Sequence, residues 1–163
     1  MAALPISVRP AVLADVPFIL TMIRELAEYE KLLHEVEATE ELIRKSLFGP
    51  QIHAEAIIGS VGDDPVGFAL FFQNFSTFLG KPGIYLEDLY VRPQFRSFGL
   101  GKRLLKEVAA IAVERGCGRY EWSVLDWNAP AIDFYESLGA VMHSEWRRML
   151  VDGEALGKMA TLP

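Results

Sequence analysis

The chain has 163 residues, 51% of them hydrophobic and 23% charged, which is enough apolar material for one domain with its own core and argues against disorder. A net charge of -6 and a pI near 5.1 argue against a nucleic-acid or anionic-membrane partner and favour a cationic or neutral one. One cysteine, Cys117, excludes an internal disulfide, and the opening stretch lacks the apolar run of a signal peptide or membrane span, so the expected location is cytoplasmic.

Ile6 to Arg9 alternates and ends at Pro10, which predicts a short first strand. Asp15 is the expected N-cap of a helix with Pro17 in its first turn. Phe18, Met22, Leu26 and Tyr29 then follow at helical spacing to about Lys31. A second helix is predicted from Thr39, with Glu40 and Glu41 in its first turn and Gly49-Pro50 as its stop. Three apolar, β-branched or aromatic runs come next, Ala54 to Ile58, Val66 to Phe72 and Ile84 to Val91. They read as consecutive antiparallel strands, with a turn at Gly62-Asp63-Asp64-Pro65. Leu100 to Arg115 predicts a long helix with Leu104, Val108, Ile111 and Ala112 on one face and Gly116 past its end.

Tyr120 to Leu125 reads as a further strand, and Asn128 as the cap of a helix that carries Pro130 in its first turn and ends at Gly139. Val141 to Val151 is expected to form a bent final strand, and Glu154 to Ala160 a short helix. The order β-α-α-β-β-β-α-β-α-β does not alternate strictly, so a doubly wound parallel sheet is not the reading. The expectation is one α/β (α+β) domain over residues 1–163, with a mixed, mostly antiparallel central sheet flanked by helices on both faces.

The stretch Leu86 to Lys102, LEDLYVRPQFRSFGLGK, carries the first chemical signal. A strand ends near Arg92-Pro93, and a turn bearing Arg96 delivers Gly99 and Gly101 onto a helix start. Such a junction brings backbone N–H groups close to phosphate oxygens and points to a ligand with a pyrophosphate. A Walker loop is ruled out because position 96 is arginine where glycine is needed, and Arg103 stands where Ser or Thr would bind magnesium. A dinucleotide fingerprint starting at Gly99 would need a small residue at Leu104.

The remaining string, Arg96-Ser97-Phe98-Gly99-Leu100-Gly101, resembles the acyl-CoA-binding motif of the GNAT superfamily of N-acetyltransferases, Gln/Arg-x-x-Gly-x-Gly/Ala. By that resemblance the amides of Ser97 to Lys102 hold the CoA pyrophosphate, with the basic Arg96, Lys102 and Arg103 favouring the anion. Leu89, Tyr90 and Val91 would pair their backbone with the pantetheine arm, along a fourth strand that in the family carries a bulge and splays from the fifth. A second signature, Asn128-x-x-Ala131-x-x-Phe134-Tyr135-x-x-x-Gly139-Ala140, matches the family's N-x-x-A-x-x-[FL]-Y-x-x-x-G-[FA]. It implies that Asn128, Ala129, Pro130 and Ala131 lie near the cofactor arm. Tyr135 would then be the general acid, protonating the thiolate that leaves when an amine attacks the acetyl thioester.

Glu25-Leu26-Ala27-Glu28-Tyr29-Glu30, Tyr85-Leu86-Glu87-Asp88, Val124-Leu125-Asp126-Trp127-Asn128 and Lys158-Met159-Ala160 together resemble the diamine acetyltransferase branch, spermidine/spermine and thialysine N-acetyltransferases, and within it the thialysine type. The resemblance implies an acetyl-CoA cosubstrate, a small cationic amine as partner and a homodimer. It also implies amine binding by Tyr29, Glu30, Glu87 and Asp88, with Glu87 as the base acting through water. Adjacent strand residues point to opposite faces, so one of Glu87 and Asp88 is expected to face the reaction site directly. The chain departs from the polyamine acetylators at Phe75-Ser76-Thr77-Phe78-Leu79-Gly80. Phe78 keeps an aromatic wall there, but the acidic anchor for a long polycation is missing. This favours thialysine, ornithine or a short diamine over spermine and spermidine.

Two alternatives stay open, a protein or peptide N-acetyltransferase with the same cofactor and an acyl-CoA-binding module without catalysis. His34, His53 and His143 show no metal-ligand spacing, so no metal is expected. Cys117 reads as a small buried hydrophobe, and Trp146 as a dimer-interface or surface residue.

Overall fold

The computed structural model describes residues 5–163. They fall into two compact units, one ending at Leu125 and the other spanning Asp126–Pro163. The first unit is built on a sheet in which β1 (Ile6–Pro10), β2 (Glu55–Val61), β3 (Asp64–Ser76) and β4 (Lys81–Val91) pair antiparallel in sequence order. A short β5 (Arg119–Trp122) is added parallel to β4. The mostly antiparallel mixed sheet agrees with the reading of the sequence.

Helix α1 (Val16–Tyr29) buries Val16, Ile19, Leu20 and Met22 at helical spacing. They pack with Ile43 and Leu47 of α2 (Glu40–Phe48) and with Ala56, Ile58, Phe68 and Tyr90 of the sheet. Alternation along the strands turns the neighbours of Ile58 and Phe68 to the other face, where α3 (Leu100–Glu114) lies. Those neighbours are Gly59 and Gly67. A Cβ on Gly59 would sit 2.8 Å from Leu100 Cδ1, and one on Gly67 would sit 3.4 Å from Leu100 Cδ2. Leu100 is the first residue of α3 and is fully buried, so the glycine pair forms the notch that seats the helix start. Gly59→Val should cost on the order of 2 kcal/mol through overpacking, read as a lower urea midpoint at unchanged m-value.

The end of α1 is a Schellman motif: Lys31 N–H donates to the Glu28 carbonyl at 3.0 Å and Leu32 N–H to the Ala27 carbonyl at 2.7 Å. Lys31 takes the left-handed conformation (φ 63°) that glycine usually fills, at a cost of about 1 kcal/mol. Asp15 does not cap α1 with its side chain. Its carboxylate accepts from Val12 N–H at 2.7 Å and binds both Arg9 guanidinium nitrogens at 2.7 and 2.8 Å, because Asp15 itself lies in an αR turn ahead of the helix.

Two strand predictions need correcting. The fifth strand stops at Trp122 rather than Leu125, since its pairing with β4 ends at Leu86↔Trp122 and β4 changes course just beyond. The expected final strand over Val141 to Val151 is not formed. The segment is irregular, contributes no strand to the five-stranded sheet and leaves Val141, Trp146, Met149 and Leu150 exposed. An apolar run becomes a strand only with a ladder partner. In the second unit, α4 (Ala129–Ser137) and α5 (Gly153–Ala160) form as expected, with Pro130 in the first turn of α4. Asn128 stands at the α4 cap position, where its carbonyl accepts from Ala131 and Ile132 N–H, both at 3.1 Å. Its side chain makes no cap bond, because ψ 63° lies outside the extended region that aims a capping side chain.

Candidate active site

The register of β3 on β4 contains the feature that organises the site. Ala69 pairs with Leu89 and Leu70 with Asp88, but Phe71 pairs with Leu86, so Glu87 is the extra residue of a β-bulge. The bulge breaks strict alternation at the Glu87-Asp88 pair, where unbroken pleating was expected to separate them. It also coincides with the last β4–β5 pair, Leu86↔Trp122. Past that pair, β5 no longer covers the edge of Glu87 to Val91, and the backbone of Leu89, Tyr90 and Val91 stands outside the β4–β5 ladder.

Asp88 is half-buried at the bulge, whereas Glu87 is exposed. Burial, with the Glu87 and Glu30 carboxylates nearby, pushes the Asp88 carboxyl up to about 7. Burial also raises Glu30, which follows Tyr29 at the C-terminal end of α1. The Schellman end of α1 thus brings Glu30 to the same cluster as Glu87 and Asp88. Three clustered carboxylates suit a cation, and Asp88, the one pushed up to about 7, is best placed to change protonation near neutral pH.

The turn after β4 is a 3-10 segment, Pro93–Phe98, followed by Gly99 at φ 79°. A side chain at Gly99 would be strained in that conformation, and the φ reverses the chain into α3. The first α3 hydrogen bond runs from Arg103 N–H to the Gly99 carbonyl at 3.1 Å, so the N–H groups of Leu100, Gly101 and Lys102 precede the ladder. Ser97, Phe98, Gly99 and Lys102 are exposed around them. Arg103 is paired with Glu107 at 3.4 Å. N–H groups that precede the ladder at a helix start suit an anion, and Leu100 in its glycine notch fixes this start to the sheet.

Tyr29, Tyr90 and Arg96 meet between the cluster and the turn. The Arg96 guanidinium centre lies 4.9 Å from the Tyr29 ring centroid and 5.6 Å from that of Tyr90, and its Nε–H donates to the Val91 carbonyl at 2.9 Å. Arg92 donates from Nε and Nη2 to the Glu25 carboxylate at 2.8–3.1 Å, tying the head of the turn to α1. Neither Glu25–Arg92 nor the neighbouring Glu28 carried a role in the sequence reading. The signal was present, since Glu25, Glu28 and Tyr29 share one face of α1 at i, i+3, i+4 spacing.

The structure does not bring Phe78 to the carboxylates. It sits on the turn between β3 and β4, 95% exposed. Glu87 lies six positions along β4 from Lys81, roughly 20 Å of strand. Tyr135, Asn128, Ala129, Pro130 and Ala131 belong to the second unit. There Tyr135 is half-buried in α4 with its ring 5.5 Å from that of Phe134, and Asn128 is buried.

A bulged fourth strand, a β4–β5 ladder that ends beside the bulge and a glycine turn opening α3 are the frame of the candidate site. Residues 20–140 match the acetyltransferase (GNAT) family, and the chain belongs to that family. It is therefore a transferase. It is 38% identical to a thialysine N-epsilon-acetyltransferase of Sus scrofa, over 94% of this chain and 96% of that protein. It is 35% identical to the L-ornithine N5-acetyltransferase NATA1 of Arabidopsis thaliana, over 91% of this chain and 85% of that protein. Among solved structures, an integron cassette protein from the mobile metagenome of V. cholerae superposes with a TM-score of 0.80 at 25% identity, covering 96% of this chain and 98% of the other. Among the described residues no helix is long and apolar enough to cross a membrane.

Proposed function

We propose that the whole chain, residues 1–163, works as one acetyl-CoA-dependent N-acetyltransferase. Its substrate is the primary amine of a small cation: thialysine, an ornithine- or lysine-like amino acid, or a short diamine. The observation that carries the reading is the Glu30, Glu87 and Asp88 cluster at the β4 bulge, one strand end away from the glycine turn. Three carboxylates favour an ammonium group, and the turn favours a pyrophosphate. The names of the relatives from Sus scrofa and Arabidopsis thaliana support a substrate of this size and charge.

In this reading the amides of Ser97, Phe98, Gly99, Leu100, Gly101 and Lys102 hold the pyrophosphate, with the positive charge of Lys102 beside them and Arg96 folded back onto the Val91 carbonyl. The free edge at Leu89, Tyr90 and Val91 bonds the pantetheine amides, and Asn128 to Ala131 flank the arm. Tyr29, Glu30, Glu87 and Asp88 bind the amine. The ammonium, with a pKa of about 10.4, gives up a proton through water to Glu87 before it can attack. The free nitrogen then bonds to the thioester carbonyl carbon in a ternary complex. The C–S bond breaks, the departing thiolate takes the Tyr135 phenol proton, and the new amide nitrogen sheds its second proton through water to restore the phenol. Phe78 joins the amine site in this scheme only from a second copy of the chain, which suits the homodimer that the resemblance implies. The expected location is the cytoplasm.

The test is CoA release from acetyl-CoA across thialysine, lysine, ornithine, putrescine and spermidine. Turnover should be fastest with thialysine or ornithine and at least tenfold slower with spermidine. Preference for spermidine would overturn the substrate reading. CoA binding without turnover on any amine would leave an acyl-CoA-binding module, and turnover confined to peptide amines would make the chain a protein acetyltransferase.

A further inference from the structure

We propose that Arg96 is a positioning residue that couples the amine site to the cofactor turn. It would do so by stacking on Tyr29 and Tyr90 while holding the Val91 carbonyl. The inference rests on the acetyl-CoA and amine reading above. Arg96 belongs to the motif that opens the turn, yet its side chain folds back from the glycines. Its Nε–H is committed to the carbonyl of Val91, the last residue of β4, at 2.9 Å. Its guanidinium centre faces Tyr29 at 4.9 Å and Tyr90 at 5.6 Å. Tyr29 closes α1 immediately before Glu30, and Tyr90 follows Asp88 by two residues on β4.

One planar cation therefore touches the end of α1, the end of β4 and the base of the turn. A planar, delocalised guanidinium can stack on aromatic faces and donate in its own plane at once, which an ammonium cannot do. Movement of the turn as a pyrophosphate docks is passed through this stack to Tyr29, and through Tyr29 to the carboxylate cluster. Glu25, Glu28 and Arg92 also face Tyr90, so the stack lies in a charged shell that holds both ligands' surroundings in register. Occupation of one site pre-orders the other, and the coupling is reciprocal.

The experiment is calorimetric titration of CoA with and without saturating thialysine, and of thialysine with and without CoA. In the native protein each ligand should tighten the other at least fivefold. In Arg96→Met the coupling factor should fall to within twofold of one, while CoA alone still binds within about threefold of native. Arg96→Lys keeps the charge but should not restore the coupling. Tyr29→Leu, which removes the stack from the amine side and leaves the Val91 bond, should lose the coupling in the same way.

A native coupling factor of one, or undiminished coupling in Arg96→Met and Tyr29→Leu, overturns the proposal. So does a loss of CoA affinity beyond tenfold in Arg96→Met that Arg96→Lys rescues, because that result makes Arg96 a phosphate ligand. If native protein binds neither CoA nor thialysine, the acetyltransferase reading fails as well, an outcome distinct from loss of coupling alone.

Discussion

Tyr135→Phe should lower kcat on thialysine by on the order of 10²- to 10³-fold while the dissociation constant for CoA changes less than about twofold. The substitution removes one oxygen and keeps the ring, so the contact with Phe134 at 5.5 Å and the packing of α4 remain. The lost element is a proton for the thiolate that leaves when the C–S bond breaks. Phenols, with an ordinary pKa of about 10, suit this proton transfer because they stay protonated at neutral pH and still donate to a developing thiolate. Pre-steady-state mixing with acetyl-CoA separates chemistry from product release, and the defect should appear in the chemical step. Full turnover in Tyr135→Phe would assign the proton to water.

Asp88→Asn should do two opposite things. The Asp88 carboxyl sits at about 7, raised by burial and then by Glu87 and Glu30, against an ordinary 3.8. The folded protein therefore binds this proton more tightly than the unfolded chain does. Stability contributed by the protonated form is present at low pH and is lost as pH rises from near 4 through about 7. The full difference converts to about 4 kcal/mol. Water and relaxation around a half-buried group reduce it, and we expect on the order of 2 kcal/mol at pH 8. Asp88→Asn should recover that amount, raising Tm at pH 8 by about 4–8 °C and leaving Tm at pH 4 nearly unchanged.

Activity should move the other way. With one carboxylate of the cation site gone, kcat/KM for thialysine should fall by about 10²-fold. The native kcat/KM profile should rise with pH through about 7 as Asp88 ionises in the free enzyme, and the variant should lose that inflection. An unchanged profile in Asp88→Asn would place the amine away from the bulge. A stability gain with a loss of function is the expected pattern for a like-charge cluster kept for binding.

The parts of the site that were legible in sequence are those set by local chemistry. Gly99 and Gly101 at a strand-to-helix junction announced the anion turn, and the structure gives Gly99 its left-handed φ of 79° and seats Leu100 behind it. Tyr29 and Glu30 were legible as the end of an amphipathic helix. Pro130 and Gly139 bracketed α4 correctly because proline and glycine act through their own backbone. Less legible were features that depend on a partner strand. Val141 to Val151 had the apolar content of a strand, but without a ladder it stayed irregular.

Sequence by itself determined the order of the elements as far as the irregular stretch 141–151, the faces they bury and the residue types that meet at the turn. These follow from the periods of helix and strand and from the torsions of glycine and proline, which are properties of short stretches. Only the tertiary structure decided that Glu87 is the extra residue of a bulge, and that Asp88 is the carboxyl driven towards neutral pH. It alone showed Arg96 turned back onto Tyr29 and Tyr90, and Phe78 standing apart at the hairpin tip. Register, burial and the field of neighbouring charges arise between segments distant in the chain. No stretch of residues carries them alone.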